Sequence, residues 1–202
     1  MTALRAEDIA NDPAFRRLSS LQTVRHDLRY AGSHNFAGIN LYGALDCAWL
    51  RADAAAGLQA AAAWLDQQRP GWQLLVLDAL RPQRVQEAIW RDVAGTPMAH
   101  YFANPQRGSI HSFGMAVDVT LVNPQGQEAD MGSEFDEMTE ASHPALHAQH
   151  LASGVLKPAQ VAQRQCLHDA MAHGGFQGIA TEWWHFDHGD RERVRRELPR
   201  VW

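Results

Sequence analysis

Histidine and acidic residues in this chain recur at spacings that suit a metal. In the stretch RGSIHSFGMAVDVTLV, residues 107–122, His111 and Asp118 stand seven positions apart at the mouth of a run that reads as a buried strand. A lone carboxylate is costly to bury unless it is paired, hydrogen-bonded or bound to a metal. Zinc takes imidazole and carboxylate ligands, and catalytic sites hold it with three protein groups, leaving a fourth position to water. His111 and Asp118 supply two of the three. The run EWWH at 182–185 offers His185 as the third, with Glu182 three residues before it. Residues three apart in a continuous strand face opposite sides, so Glu182 shares a site with His185 only from a turn just ahead of the strand. There it would act as general base, passing a proton from a metal-activated water to a leaving amine, the pattern of a metallopeptidase.

The same residues have plainer uses. A buried hydrogen-bonded cluster would account for His111, Asp118 and His185, and a helix cap or surface carboxylate for Glu182. His143, His147 and His150 have i, i+4, i+7 spacing that would align three imidazoles on a helix. However, no acid is placed to act with them, and Pro144 weakens a helix there. Asp187 and His188 could orient a ligand but read more simply as a solvated chain end. Trp183 and Trp184 read as core and pocket wall.

The elements that must position these residues are legible from periodicity. Residues 48–68 carry helix-forming alanines with Trp49, Leu50, Leu58 and Leu65, stopped by RPGW. WQLLVLDAL at 72–80 suits a buried strand, and a helix then opens at Pro82 and ends near Gly95. Loop-like residues lead to the strand MAVDVTLV at 115–122, which Asn123, Pro124 and Gly126 turn. After a long polar, histidine-bearing stretch, residues 157–175 give a second clear helix. TEWWHFDH at 181–188 has the aromatic, period-two look of a strand. Strands and helices mixed without regular βαβ spacing predict an α+β fold, a small antiparallel sheet packed against helices. No repeat, low-complexity tract or linker divides residues 1–202, so one domain is expected.

Composition narrows the function. Apolar residues at 46% and charged residues at 20% of 202 suit a globular chain that can bury a core without staples. A net charge of −5 gives no basic footprint, so nucleic acid is not an expected partner. No run is long and apolar enough to span a bilayer, and the charge-interrupted start MTALRAEDIANDPAFRRLSS has no signal-peptide h-region. Cys47 and Cys166 form neither a disulfide framework nor a CxxC zinc site. A cytoplasmic protein is expected, with the periplasm open if an export signal has been removed. Oligomeric state is not legible.

The pattern Ser-x-His-x-x-Gly-x-Ala-x-Asp, here Ser109, His111, Gly114, Ala116 and Asp118, followed far downstream by Glu182-x-x-His185, resembles the zinc D-alanyl-D-alanine dipeptidases. These are the vancomycin-resistance type enzymes of the hedgehog/DD-peptidase superfamily, and the resemblance runs from about Tyr30 onward. It implies one Zn2+ per chain on His111, Asp118 and His185, with Glu182 as general base. LDALRPQR resembles the family segment whose functional arginine maps to Arg81, which could hold the developing oxyanion or simply pair with Asp78. MGSEFDEM resembles the substrate-binding segment whose aspartate maps to Asp136, a partner for a dipeptide's ammonium or, more plainly, a loop cap. LRYAGSHNF resembles the stretch whose tyrosine, here Tyr30, lies near substrate, and Ser109 is placed to hydrogen-bond the substrate's polar ends. Gly114 would let the backbone turn between two ligands. The expected activity is hydrolysis of free D-Ala-D-Ala to two D-alanines. Its rivals are a DD-carboxypeptidase or endopeptidase acting on peptidoglycan stems, and a non-catalytic zinc domain that binds protein.

Overall fold

The apolar runs Gln73–Asp78 and Ala116–Val122 lie side by side and antiparallel at the middle of the fold. In the computed structural model, which describes residues 4–202, the chain order is β1 (Phe15–Arg17), β2 (Val24–His26), β3 (Trp49–Arg51), α1 (Ala52–Gln68), β4 (Gln73–Asp78) and α2 (Gln83–Val93). It continues with β5 (Ala116–Val122), α3 (His147–Ser153), α4 (Pro158–His173), β6 (Phe176–Gly178), β7 (His185–His188) and α5 (Arg191–Glu197). One sheet has the order β2-β4-β5-β7-β6, and β1 pairs with β3 in a separate two-stranded ribbon. The fold is the expected α+β mixture of sheet and helices. Its main sheet is antiparallel except at one edge, where β2 runs parallel to β4.

Alternation along the strands gives the sheet two different faces. Leu74 and Val76 of β4 join Val117, Val119 and Leu121 of β5 in the main core, under α1 and α4. Buried residues of α1 at Ala54, Ala55, Leu58, Ala61, Ala62 and Leu65 recur at three- and four-residue steps, which turns one stripe of the helix to that core. The two helical layers approach very closely. A Cβ on Gly57 would sit 2.4 Å from the Gly174 carbonyl oxygen, so only glycine fits. On the opposite face, Leu75, Leu77 and Val122 pack beneath Phe135, and Asp78 and Asp118 stand as register partners.

Two elements begin later than their sequence pattern suggests. Trp49–Arg51, read as the start of a helix, instead pairs with Phe15–Arg17, and α1 starts at Ala52. Their β-pairing partner lies far back in the chain, beyond reach of a local pattern. The aromatic run at 181–188 becomes strand only from His185, and Glu182 sits ahead of it in irregular chain.

Candidate active site

Two neighbouring strands bring the metal-type residues together. Asp118 on β5 and His185 on β7 are register partners in an antiparallel ladder, so their side chains leave the same face of the sheet. His111 joins them from a 3-10 turn, Ile110–Phe113, that feeds β5. Gly114 ends this turn at φ +69°, and a Cβ there would lie 2.8 Å from the Phe15 ring, so the expected glycine meets both a left-handed backbone and a close approach.

The three donor atoms form a nearly regular triangle. His111 Nε2 is 3.1 Å from His185 Nδ1 and 3.4 Å from Asp118 Oδ1, and His185 Nδ1 is 3.0 Å from that same oxygen. A tetrahedral zinc with bonds of about 2.0–2.1 Å separates its ligands by about 3.3–3.4 Å. The donor set therefore fits such an ion with one corner left over. Among the described residues, these three form the group able to hold a metal. The opposite ring nitrogens are fixed. His111 Nδ1 donates to the Ala79 carbonyl at 2.7 Å, and His185 Nε2 donates to Asp187 Oδ1 at 2.9 Å. A carbonyl can only accept, so His111 presents a lone pair on Nε2, and the carboxylate does the same for His185 Nδ1.

Asp187 therefore corrects the expectation of a solvated chain end. It is buried, held by Arg191 Nε at 2.5 Å, and shares the face of β7 that carries His185. His188 points to the other face, beside Gly57 and Gly175. The aligned histidines also separate. His143 Nε2 meets the Tyr101 hydroxyl at 3.1 Å, while His147 Nε2 lies 3.2 Å from Arg164 Nη1.

A cavity of about 160 Å3 opens over the triangle, and its walls include Tyr30, Arg81, Ser109, His111, Asp118, Asp136, Glu182 and His185. Every site residue picked from the sequence is on that wall. A larger depression of about 950 Å3 borders Asp136 from the Glu128–Glu137 side and contains none of the three ligand-type residues.

Arg81 makes the ion pair with Asp78 and also lines the cavity. Its Nε and Nη2 donate to Asp78 Oδ2 at 2.9 and 2.8 Å, its Nη1 donates to Gln86, and Nη2 also lies 3.4 Å from Asp118 Oδ2. Asp78 is in turn held by the Tyr42 hydroxyl, and the guanidinium lies 4.6 Å from the centre of the Tyr30 ring. Removing one member of such a buried pair costs about 3–5 kcal/mol, so Asp78 fixes the guanidinium at the edge of the site. Asp136 adopts φ +60°, an uncommon conformation for a non-glycine residue, and takes a long contact from the Tyr30 hydroxyl at 3.5 Å and a hydrogen bond from Phe36 N at 3.2 Å. The Ser109 side chain does not cap the turn that follows it.

Burial shapes the carboxyl groups that face the cavity. Burial would raise the Asp118 carboxyl, but His111 and His185 hold it well below the usual carboxylate range. Burial, aided by the Asp118 charge, pushes Asp136 well above that range, and burial raises Glu182 to about 7. Four carboxyl groups line this cavity, Asp118, Asp136, Glu182 and Asp187, and a nearby cation such as a metal or an ammonium group would favour their charged forms. Residues that the sequence did not reveal complete the wall: Tyr101, Met138, Ile179, Arg191 and Arg195. On the short basic helix RERVRRE, the two arginines look like any solvated charged face.

A family model described as Peptidase_M15, D-ala-D-ala dipeptidase, matches residues 16–201. The chain is 38% identical over 161 residues to the D-alanyl-D-alanine dipeptidase of Escherichia coli K12, covering 80% of this chain and 77% of that protein. It is 33% identical over 184 residues to the protein of that name from Streptomyces coelicolor, covering 81% and 85%. For the one from Enterococcus faecalis V583 the identity is 30% over 182 residues, covering 82% and 86%.

Proposed function

The chain belongs to the M15 peptidases of the D-Ala-D-Ala dipeptidase type, a metallopeptidase family, and we propose that it hydrolyses free D-Ala-D-Ala to two molecules of D-alanine with one zinc per chain. The observation that carries this reading is convergence. The donor triangle, Glu182, Arg81 and Asp136 all face one cavity of about 160 Å3.

His111 Nε2, Asp118 Oδ1 and His185 Nδ1 would hold the ion, and the single aspartate leaves a net charge of +1 on such a site. Zinc bound there supplies Lewis acidity, which acidifies a water and polarises the scissile carbonyl. Glu182 accepts the proton of the attacking water on its carboxylate and returns it to the departing amine nitrogen. Its position ahead of β7 keeps it out of the ligand triangle while leaving it on the same wall. Arg81, held by Asp78, donates an N–H to the oxyanion that forms as water adds to the carbonyl. Asp136, backed by Tyr30, receives the substrate's ammonium, and Ser109 hydrogen-bonds its polar ends.

Size supports a dipeptide over a peptidoglycan stem. The cavity is well below the roughly 300–1,000 Å3 usual for drug-sized ligands. Segment 123–181 closes over it through Asp136, Met138 and Ile179. We take the whole chain as one catalytic domain. The test is D-alanine release by the zinc-loaded protein from D-Ala-D-Ala, a D,D-tripeptide and a stem pentapeptide. The dipeptide should be turned over and the longer peptides should not. Preference for the pentapeptide would make the protein a carboxypeptidase, and zinc binding without turnover would make it a non-catalytic domain.

A further inference from the structure

A free dipeptide has two charged ends, and the cavity wall holds more than one candidate for its carboxylate. Three arginines reach it: Arg81, Arg191 and Arg195. Arg81 is committed to Asp78, Gln86 and the neighbourhood of Asp118. Arg191 gives its Nε to Asp187, the carboxylate that orients His185, and its side chain is 40% exposed. Arg195 is more enclosed than Arg191 and less fully engaged than Arg81. Its side chain is 14% exposed, its Nε donates to the Gly108 carbonyl at 3.2 Å, and its Nη1 donates to Glu192 at 2.8 Å. Its Nη2 takes no partner among the described residues. The bond to Gly108 sets the guanidinium beside Ser109, the next residue along the chain and itself part of the wall.

Resting on the dipeptidase reading, we propose that Arg195 is the carboxylate anchor of the substrate site, pairing through Nη2 with the C-terminal carboxylate while Asp136 holds the ammonium. A guanidinium offers a carboxylate planar, charge-assisted donors, and a partly enclosed one with a free edge is well suited to receive it. Its partner Glu192 is 64% exposed and shared with Arg107, so solvent screens that pair and leaves the Arg195 charge available. One cation and one anion on the wall of the same cavity would select a zwitterion. The specificity follows: a substrate with a blocked carboxylate should be rejected because of Arg195.

The test compares D-Ala-D-Ala with D-alanyl-D-alaninamide in the wild type, Arg195→Ala and Arg195→Lys, all zinc-loaded. The wild type should prefer the free acid. In Arg195→Ala, kcat/KM for the acid should fall by about 10- to 100-fold, mainly through KM, while that for the amide stays within about threefold. Lys should restore part of the preference. The affinity of both ligands for Glu182→Gln and for Glu182→Gln/Arg195→Ala, measured by calorimetry, should show the same selective loss without relying on turnover. Equal losses for acid and amide, or no loss for either, would overturn the anchor while leaving the dipeptidase reading intact. A wild type inactive on the dipeptide would overturn both.

Discussion

The ligand triangle and the wall that faces the rest of the substrate are held by different kinds of structure. Asp118 and His185 are fixed by strand register, and His111 by a turn running directly into the same strand, with each imidazole tied from behind by Ala79 or Asp187. Asp136, Tyr30, Ser109 and Arg195 come from loops, turns and a seven-residue helix, and their polar supports are few and include long ones such as the 3.5 Å approach of Tyr30 to Asp136. Rigid sheet therefore carries the part of the chemistry that needs donors set to a few tenths of an ångström. In the proposed reading the loops would carry what distinguishes one peptide from another, and loops vary most easily.

The largest effect is expected in the triangle: His111→Ala, Asp118→Ala or His185→Ala should each leave less than one bound zinc per chain by metal analysis, and no turnover. A variant that keeps stoichiometric zinc removes that residue from the ligand set. On the wall, Asp136→Asn should retain zinc but lower kcat/KM for D-Ala-D-Ala by about 10- to 100-fold, chiefly through KM. N-acetyl-D-Ala-D-Ala should be a very poor substrate of the wild type, and comparable turnover of the acetylated peptide would contradict an ammonium site at Asp136.

A smaller effect should appear with pH. Burial lifts Glu182 from an ordinary 4.5 to about 7 in the metal-free site, and a nearby cation lowers it again. The base works only when ionised, so activity is present above its pKa and is lost as pH falls through it. The acid limb of kcat/KM should bend between those two values, and a bend above 7 would assign that limb to another group. The smallest change is expected for Tyr30→Phe, about 2- to 10-fold in KM, because its hydroxyl contact is long. A loss as large as that of Asp136→Asn would give Tyr30 a direct contact with substrate.

The same division explains what could be read from the sequence. His111, Gly114 and Asp118 fall within one short stretch, and period-two alternation alone forces Glu182 out of the strand that carries His185. Both are local statements, and the geometry agrees with them. Asp187 was misjudged because its burial depends on the flanking strands and on α5, which packs Arg191 against it. The ribbon β1-β3 and the three-residue strand β6 are too short to have a period, and their pairing is decided by distant chain. Arg195 looks like its exposed neighbours in RERVRRE until Gly108 is seen to hold it at the cavity.

In the proposed mechanism the residues that would hold the metal and the group that transfers the proton are separate. Its most direct test measures bound zinc and kcat on the same preparation of Glu182→Gln. One zinc per chain is expected, as in the wild type, with kcat lower by about 10²- to 10⁴-fold, the usual contribution of a positioned acid or base. Loss of the zinc, or turnover close to that of the wild type, would contradict it.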